Sequence, residues 1–184
     1  MLKSLVILLR PQQWLKNLFV LAPAFFAGSF LVADVLRDSL LTFIIFSAAA
    51  STVYIFNDWI DRQADSKHPE KKNRPIANGQ ISGKIALFTG LLTLLMSMLI
   101  GLSFLNFEVL AITGSYLVLN LAYTLILKNI AILDVSCIAT GFVLRLFAGS
   151  EATGIELSSW IITLTFLLAL FLALAKRRDD VIRE

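Results

Sequence analysis

The chain has 184 residues, of which 58% are hydrophobic and 16% are charged, with a formal net charge of +3. Soluble domains contain about 45–50% apolar residues, whereas here the apolar residues form runs of about 18–20, long enough to cross a bilayer as helices. A soluble globular protein is therefore excluded. No alternating ten-residue segments of the transmembrane β-strand kind are visible, so the spans are expected to be helical. The single cysteine, Cys137, excludes an internal disulfide and a CxxC metal site.

The first segment, residues 1–17, is short, basic and mixed in polarity. Lys3, Arg10 and Lys16 alternate with apolar residues, and Trp14 follows a proline. Basic residues and tryptophan at the edge of apolar segments are typical of the membrane interface, so this segment is expected to lie there. Pro11 is expected to end the first helix, because proline removes a backbone donor.

Six apolar segments follow, and they predict an all-α bundle of transmembrane helices. The predicted spans are 18–32, 40–56, 85–104, 109–127, 130–149 and 157–175. Pro23 interrupts the first of them. The remaining polar residues predict the loops, which are Asp34–Asp38, the polar stretch 57–84, a turn at Asn106–Glu108, and Glu151–Glu156.

The lysines and arginines are distributed unequally between the two ends of this bundle. With six spans, all of the 16 basic residues except Arg37 and Arg145 fall at one end. Such an asymmetry sets the orientation of a membrane protein. The sequence therefore predicts a multi-pass protein of the inner (cytoplasmic) membrane with both termini and the stretch 57–84 on the cytoplasmic side.

Acidic and amide side chains open the polar stretch. If the helix of the second span continues, Asn57, Asp58, Asp61 and Asp65 fall within an arc of about 100° on one face. Three carboxylates on one face repel one another unless a cation lies among them, and oxygen ligands suit Mg²⁺, which completes its shell with water and substrate phosphate. The pattern favours a Mg²⁺–diphosphate site; the alternative is a solvated helix end whose basic neighbours only contact anionic lipid.

A basic loop follows the acidic face. Lys67, Lys71, Lys72 and Arg74 lie between turn-forming residues, so the loop can fold back and bring positive charges to phosphate oxygens. His68 is either a base, a hydrogen-bond donor to phosphate, or an ordinary polar loop residue.

A second group of polar residues lies on the fifth span. Asp134 and Arg145 are predicted to share one face, roughly 16 Å apart along the axis, with Lys128 and Tyr123 nearby. Ionisable residues inside a span are functional candidates, although a buried structural pair explains them too. The positive-inside rule is enough to explain the basic residues 176–178, Lys-Arg-Arg, at the end of the sixth span. Lys176, at the helix end, can also reach a phosphate.

With these residues in view, the chain resembles the UbiA superfamily of intramembrane prenyltransferases, whose first aspartate-rich motif is NDxxDxxxD. It is closer to the branch of polyprenyl-phosphate phosphoribosyltransferases. Residues 10–17 look like the RPxQWxKN opening of that branch, and residues 68–79 look like its HPxKxxRPIAxG continuation. Leu127-Lys128, Asp134 and Arg145 look like the second motif of that branch. Lys176-Arg177 looks like its last motif, a Lys-Arg pair after the sixth span. Ile138 stands where aromatic-acceptor relatives often carry a second aspartate.

The resemblance implies Mg²⁺-dependent transfer of a 5-phosphoribosyl group from phosphoribosyl pyrophosphate to a polyprenyl phosphate. Implied catalytic residues are Asp58, Asp61 and Asp134, and implied metal ligands are Asp58, Asp61 and Asp65. Implied substrate-binding residues are Lys16, Asn57, His68, Lys71, Arg74, Tyr123, Lys128, Arg145, Lys176 and Arg177.

Two alternatives stay open. The same site can transfer a polyprenyl group from its diphosphate to an aromatic or lipid acceptor, or the chain is an inactive remnant or partner subunit. The resemblance implies about nine spans, so a single UbiA-like domain 1–184 with six spans is expected to be C-terminally incomplete or completed by an assembly such as a homo-oligomer. Membrane lipids are expected partners and nucleic acid is not.

Overall fold

A computed structural model describes the backbone of residues 2–183 and the side chains of residues 2–179. Its helices are α1 Leu2–Leu9, α2 Ala22–Phe26, α3 Ala33–Asp65, α4 Gly83–Phe104, α5 Phe107–Leu125, α6 Ala131–Thr153 and α7 Ser159–Arg183, with 3-10 helices at Pro11–Leu21, Lys71–Asn73 and Leu127–Asn129. Five of them, α3 to α7, are long and apolar enough to cross a membrane. The predicted all-α membrane bundle is confirmed.

The region of the first predicted span is not one continuous helix. It consists of the 3-10 helix Pro11–Leu21 and the five-residue α2. Arg10 has a left-handed backbone with φ of 52°, and Pro11 begins the next helix, so the predicted break there is confirmed. The change of helix type lies next to Pro23, in agreement with the predicted interruption, and the span 18–32 and the number of six spans stay predictions.

Helix α3 is longer at both ends than its apolar segment. It begins at Ala33, so Asp34, Arg37 and Asp38 are helical and the predicted loop there is wrong. The guanidinium of Arg37 bonds Asp34 at 3.1 Å and Asp38 at 2.8 Å, and an acidic first turn complements the helix dipole. At the other end α3 continues to Asp65, which confirms the predicted helical extension.

Two connections meet at the end of the bundle that holds Arg37. Asn106 caps α5 by accepting a hydrogen bond from the backbone of Val109 at 3.1 Å. Its amide donates to the carbonyl of Glu151 at 3.0 Å. Helix α6 extends to Thr153 and ends at Gly154, whose φ is 67°, so the predicted loop from Glu151 is shorter than expected.

Two apolar clusters join the N-terminal segment to the membrane-length helices. One packs the 3-10 helix Pro11–Leu21 against α3, α5 and α6 through Val20, Phe46, Ala49, Ala50, Tyr116 and Ala148. The other packs α1 and the stretch after α3 against α3 and α4 through Leu8, Ile55, Ile76, Ile81 and Ala86. Because α1 ends just before Arg10 and Ile76 follows Arg74, the second cluster fixes where both arginines enter the site.

Replacing Gly149 by alanine is expected to lower the free energy of unfolding by about 1–3 kcal/mol. A Cβ at Gly149 would overlap the backbone carbonyl of Val20, so α6 would have to move away from Pro11–Leu21. Gly114→Ala is the matched control, because its Cβ would meet nothing within 4 Å and alanine favours a helix. Thermal unfolding in detergent measures both, and equal melting temperatures would contradict the expectation.

Candidate active site

Asp58 is the centre of the first ion-pair network. It lies just beyond Phe56, where the apolar part of α3 ends, and is only 2% exposed. One of its oxygens, Oδ1, accepts from Arg10 Nη2 at 2.7 Å and from Arg74 Nη1 at 2.9 Å. Burial raises the pKa of this carboxyl, and the two guanidinium groups act in the opposite direction. Asp58 thus joins three parts of the chain that are distant in sequence.

Arg74 extends this network along α3. Its Nη1 also donates to Asp65 Oδ2 at 2.6 Å, so Asp58 and Asp65 share one nitrogen. This contact requires both carboxylates on one helix face, as their spacing of seven residues predicts. It also shows that the basic loop folds back on α3, and that Arg74 meets the carboxylates there.

A second network begins at Asp61. Lys128, in the connection between α5 and α6, bonds both oxygens of Asp61 at 2.8 and 2.9 Å. Asp134, at the start of α6, is 3% exposed; it accepts from Tyr123 Oη at 2.8 Å and from Arg177 Nη2 at 2.7 Å. Arg177 also donates to the carbonyl of Lys128 at 3.4 Å. The network therefore connects α3, α5, α6 and α7.

Replacing Tyr123 by phenylalanine tests how firmly Asp134 is held. The change removes one donor to a buried carboxylate and leaves Arg177, half exposed, as its remaining partner among residues 2–179. A hydrogen bond to a charged group contributes about 1.5–3 kcal/mol, so we expect a loss of that size in unfolding free energy. Tyr54→Phe is the control, since its hydroxyl donates at 3.4 Å to the neutral Gln13. A smaller loss for Tyr123→Phe than for the control would contradict this expectation.

Arg145 forms a third, buried group. Its side chain donates from Nε to Asn17 Oδ1 at 2.7 Å, from Nη1 to the carbonyl of Gly141 at 2.6 Å, and from Nη2 to Tyr116 Oη at 3.1 Å. The guanidinium also lies over the rings of Tyr116 and Phe142. Asp134 and Arg145 are both buried on α6, which fits the prediction that they share one helix face. They do not share a hydrogen-bond partner: Asp134 bonds Tyr123 and Arg177, whereas Arg145 bonds the three groups named above.

The remaining predicted site residues are exposed or half-buried, or bond to the neighbouring backbone. His68 Nδ1 accepts backbone hydrogen bonds from Glu70 and Lys71 at 3.2 and 3.3 Å, which orders the turn after α3. Asn57 is half-buried beside Asp58, whereas Lys16, Lys71 and Lys176 are exposed. Binding of substrate by these five residues stays a prediction.

The sequence predicted an interfacial position for Arg10, but no site role for Arg10, Asn17 or Tyr116. Arg10 and Asn17 lie in the RPQQWLKN segment, so its likeness to the family motif was the feature of the sequence that could have indicated their place in the site. Arg10 is also the only non-glycine residue with a positive φ among residues 2–183, and such backbone outliers concentrate at functional sites. Tyr116 carries no local signal, because its role depends on the packing of α5 against α6.

The donor set fits a magnesium ion bound together with a phosphate ligand. Among the side chains described, no three acidic, histidine or cysteine groups are close enough to hold a metal ion by themselves. Mg²⁺ commonly takes one or two carboxylates and completes its shell with water and substrate phosphates. Asp58 and Asp65 already meet at one positive group, Arg74, which shows that this pair of carboxylates suits a cation. Ligation by Asp58, Asp61 and Asp65 stays a prediction.

The sequence profile of the UbiA prenyltransferase family matches residues 18–183. That range includes the acidic end of α3, the basic loop, Lys128, Asp134 and Arg177, and so every residue of the two networks except Arg10. The chain belongs to the UbiA prenyltransferase family. The family predicted from the aspartate-rich motif is thereby confirmed.

Two curated relatives have the same name. Decaprenyl-phosphate phosphoribosyltransferase of Corynebacterium glutamicum is 36% identical over 179 residues, covering 95% of this chain and 53% of the relative. The protein of that name from Mycolicibacterium smegmatis is 36% identical over 185 residues, covering 98% and 58%. The chain thus spans a little more than half the length of these UbiA relatives.

A solved structure shows the same fold. The structure of a UbiA homolog from Archaeoglobus fulgidus bound to DMAPP and Mg²⁺ superposes with a TM-score of 0.74 at 22% identity, covering 89% of this chain and 59% of that one. At this identity the likeness establishes the UbiA fold of the chain. Together with its apolar helices, it makes this a multi-pass membrane protein.

Proposed function

We propose that this chain acts as a Mg²⁺-dependent transferase that moves a 5-phosphoribosyl group from phosphoribosyl pyrophosphate to a polyprenyl phosphate, with release of diphosphate. One observation carries the proposal: Arg10 and Arg74 converge on the same oxygen of Asp58. The two arginines come from the opening and the loop that resemble the phosphoribosyltransferase branch, and Asp58 belongs to the aspartate-rich motif. The names of the two curated relatives support this substrate class.

The arrangement of polar and apolar surface suits one soluble and one lipid substrate. The ion pairs of Asp58, Asp61, Asp65 and Asp134 gather at one end of the bundle, where a water-soluble diphosphate donor can enter. A cavity of about 160 Å³ among α3, α4 and α5 is lined by Val53 and Phe56, just before the acidic turn, and offers apolar walls. From the distribution of basic residues we place this end in the cytoplasm and the protein in the inner membrane.

The reaction breaks the bond between C1′ of ribose and the diphosphate oxygen, and a phosphate oxygen of the acceptor forms the new bond to C1′. Mg²⁺, when held by Asp58, Asp61 and Asp65, supplies positive charge against the negative charge that develops on the leaving diphosphate. Arg74 and Lys128 exchange their carboxylate partners for phosphate oxygens as the donor enters. Asp134, held by Tyr123 and Arg177, orients a ribose hydroxyl or the acceptor.

The test measures transfer of radiolabel in membranes that contain the chain. Label is expected to pass from phosphoribosyl pyrophosphate into the lipid phase when a polyprenyl phosphate and Mg²⁺ are present, and to stop when EDTA removes the metal. Transfer from a prenyl diphosphate to an aromatic acceptor, without phosphoribosyl transfer, would overturn the proposal in favour of a prenyltransferase. Absence of both reactions would indicate an inactive remnant or a partner subunit.

A further inference from the structure

The opening segment, residues 10–17, lies along one face of α3. Ser47 and Asp58 stand on that face, because residues eleven apart in a helix return to the same side. Asn17 donates to Ser47 Oγ at 3.1 Å, and Arg10 donates to Asp58 Oδ1 at 2.7 Å. The opening segment is therefore bound to α3 at both of its ends.

Arg10 has an unusual backbone for an arginine. It follows the end of α1 in a left-handed conformation, with φ of 52° and ψ of 58°. Helices commonly end on such a residue, but it is usually glycine, which has no Cβ to be strained. The guanidinium of Arg10 bonds Asp58 and lies 5.1 Å from the centre of the Tyr54 ring. The strained backbone thus keeps a positive charge beside Asp58, and such strain persists only where surrounding contacts hold it.

The hydroxyl of Ser51 makes contacts on both sides of Arg10. Its single O–H is shared between the carbonyl oxygens of Leu9 at 2.8 Å and Ser47 at 2.9 Å, and its oxygen accepts from Trp14 Nε1 at 3.0 Å. The carbonyl of Leu9 belongs to the planar peptide that contains the nitrogen of Arg10, so its direction determines φ of Arg10. Because Ser51 is only 1% exposed, water has little access to compete for these bonds.

The position of Arg10 decides which oxygen of Asp58 is engaged. Arg10 and Arg74 both donate to Oδ1, whereas Oδ2 has no hydrogen-bond partner among residues 2–179. Groups that bond a metal-binding side chain from outside fix its orientation. Arg10 thus holds Asp58 by one oxygen and leaves the other for a metal ion.

We propose that Ser51 is a positioning residue, which holds Arg10 in its left-handed conformation and thereby orients Asp58 for the metal–diphosphate part of the donor. This inference rests on the proposed function and adds a residue that touches neither metal nor substrate. The neighbouring hydroxyl of Thr52 has a different role, because it faces α4 and bonds the carbonyl of Gly90 at 3.2 Å.

The experiment measures equilibrium binding of inorganic diphosphate with Mg²⁺ to the purified chain in nanodiscs. Ser51→Ala is compared with Ser97→Ala, since Ser97 is also a buried serine and donates to the carbonyl of Ile45 at 3.1 Å, outside both networks. Ser51→Ala is expected to raise the Kd about 10-fold, the lower end of the effect of losing a contact that supports a metal ligand. Ser97→Ala is expected to change the Kd less than about 2-fold. Both variants are expected to lower the melting temperature similarly, so general destabilisation cannot explain a difference in binding.

Combining Ser51→Ala with Arg10→Gln separates positioning from general support of the fold. Arg10→Gln alone is expected to raise the Kd about 10-fold or more. The double variant is expected to bind diphosphate as weakly as Arg10→Gln alone, because the group that Ser51 positions is already gone. Independent effects would multiply to a loss on the order of 100-fold, and that result would overturn the inference.

Failure of this inference is distinct from failure of the proposed function. Unchanged diphosphate binding in Ser51→Ala, or an equal loss in Ser97→Ala, would overturn the positioning role alone. Wild-type protein that binds diphosphate with Mg²⁺ but transfers no phosphoribosyl group would refute the proposed function and leave the role of Ser51 in place. Wild-type protein that binds no diphosphate would refute both.

Discussion

Replacing Asp58 by asparagine is expected to lower kcat/KM for transfer by about 100- to 1,000-fold, the scale found when a preorganised electrostatic group is lost. The amide keeps the shape of the side chain but removes the charge at which Arg10 and Arg74 meet. Two guanidinium groups would then face each other without the carboxylate that separates them. A metal–diphosphate complex would also lose an anionic ligand.

The same change is expected to lower the free energy of unfolding by up to about 3 kcal/mol, the lower end of the range for breaking a buried pair. The lower end applies because the Arg10 and Arg74 side chains retain 17% and 24% exposure. Asp34→Asn is the matched control on the same helix, since its carboxylate is 82% exposed and lies at the other end of α3. Retention of a tenth of wild-type activity in Asp58→Asn would contradict a central role for this carboxylate.

The acidic face of α3 could be predicted because it depends on local geometry. Residues four and seven apart along a helix return to one face, whatever the rest of the chain does. Arg74 bonding both Asp58 and Asp65 is the result. The apolar lengths of α3 to α7 were predictable for a similar reason, because each reflects the thickness of the bilayer.

Other parts of the site depend on packing that a single sequence does not encode locally. Arg10 reaches Asp58 across 48 positions of the chain, and only because the apolar cluster around Leu8 fixes the end of α1. Tyr116 meets Arg145 because α5 packs on α6. The charges of Asp34–Asp38 resembled a loop, but ion pairs within one turn keep them helical.

Exchanging the two charges of the Asp61–Lys128 pair separates a structural role from a chemical one. In the double variant Asp61→Lys with Lys128→Asp, an ion pair can form again between α3 and the connection before α6. Both side chains are 28% exposed, and such pairs contribute at most about 1 kcal/mol. The double variant is therefore expected to unfold within about 1 kcal/mol of the wild type, and Lys128→Asp alone is expected to be less stable.

Activity is expected to remain about 100- to 1,000-fold below wild type in the double variant. A lysine at position 61 lies on the face shared by Asp58 and Asp65, where it would repel the cation that the donor diphosphate brings. The control exchanges Asp34 and Arg37, an exposed pair at the opposite end of α3, and is expected to keep full activity. If transfer returns together with stability in the Asp61–Lys128 exchange, Asp61 serves only to tie α3 to the α5–α6 connection, and Asp58 and Asp65 remain as the carboxylates available to the metal.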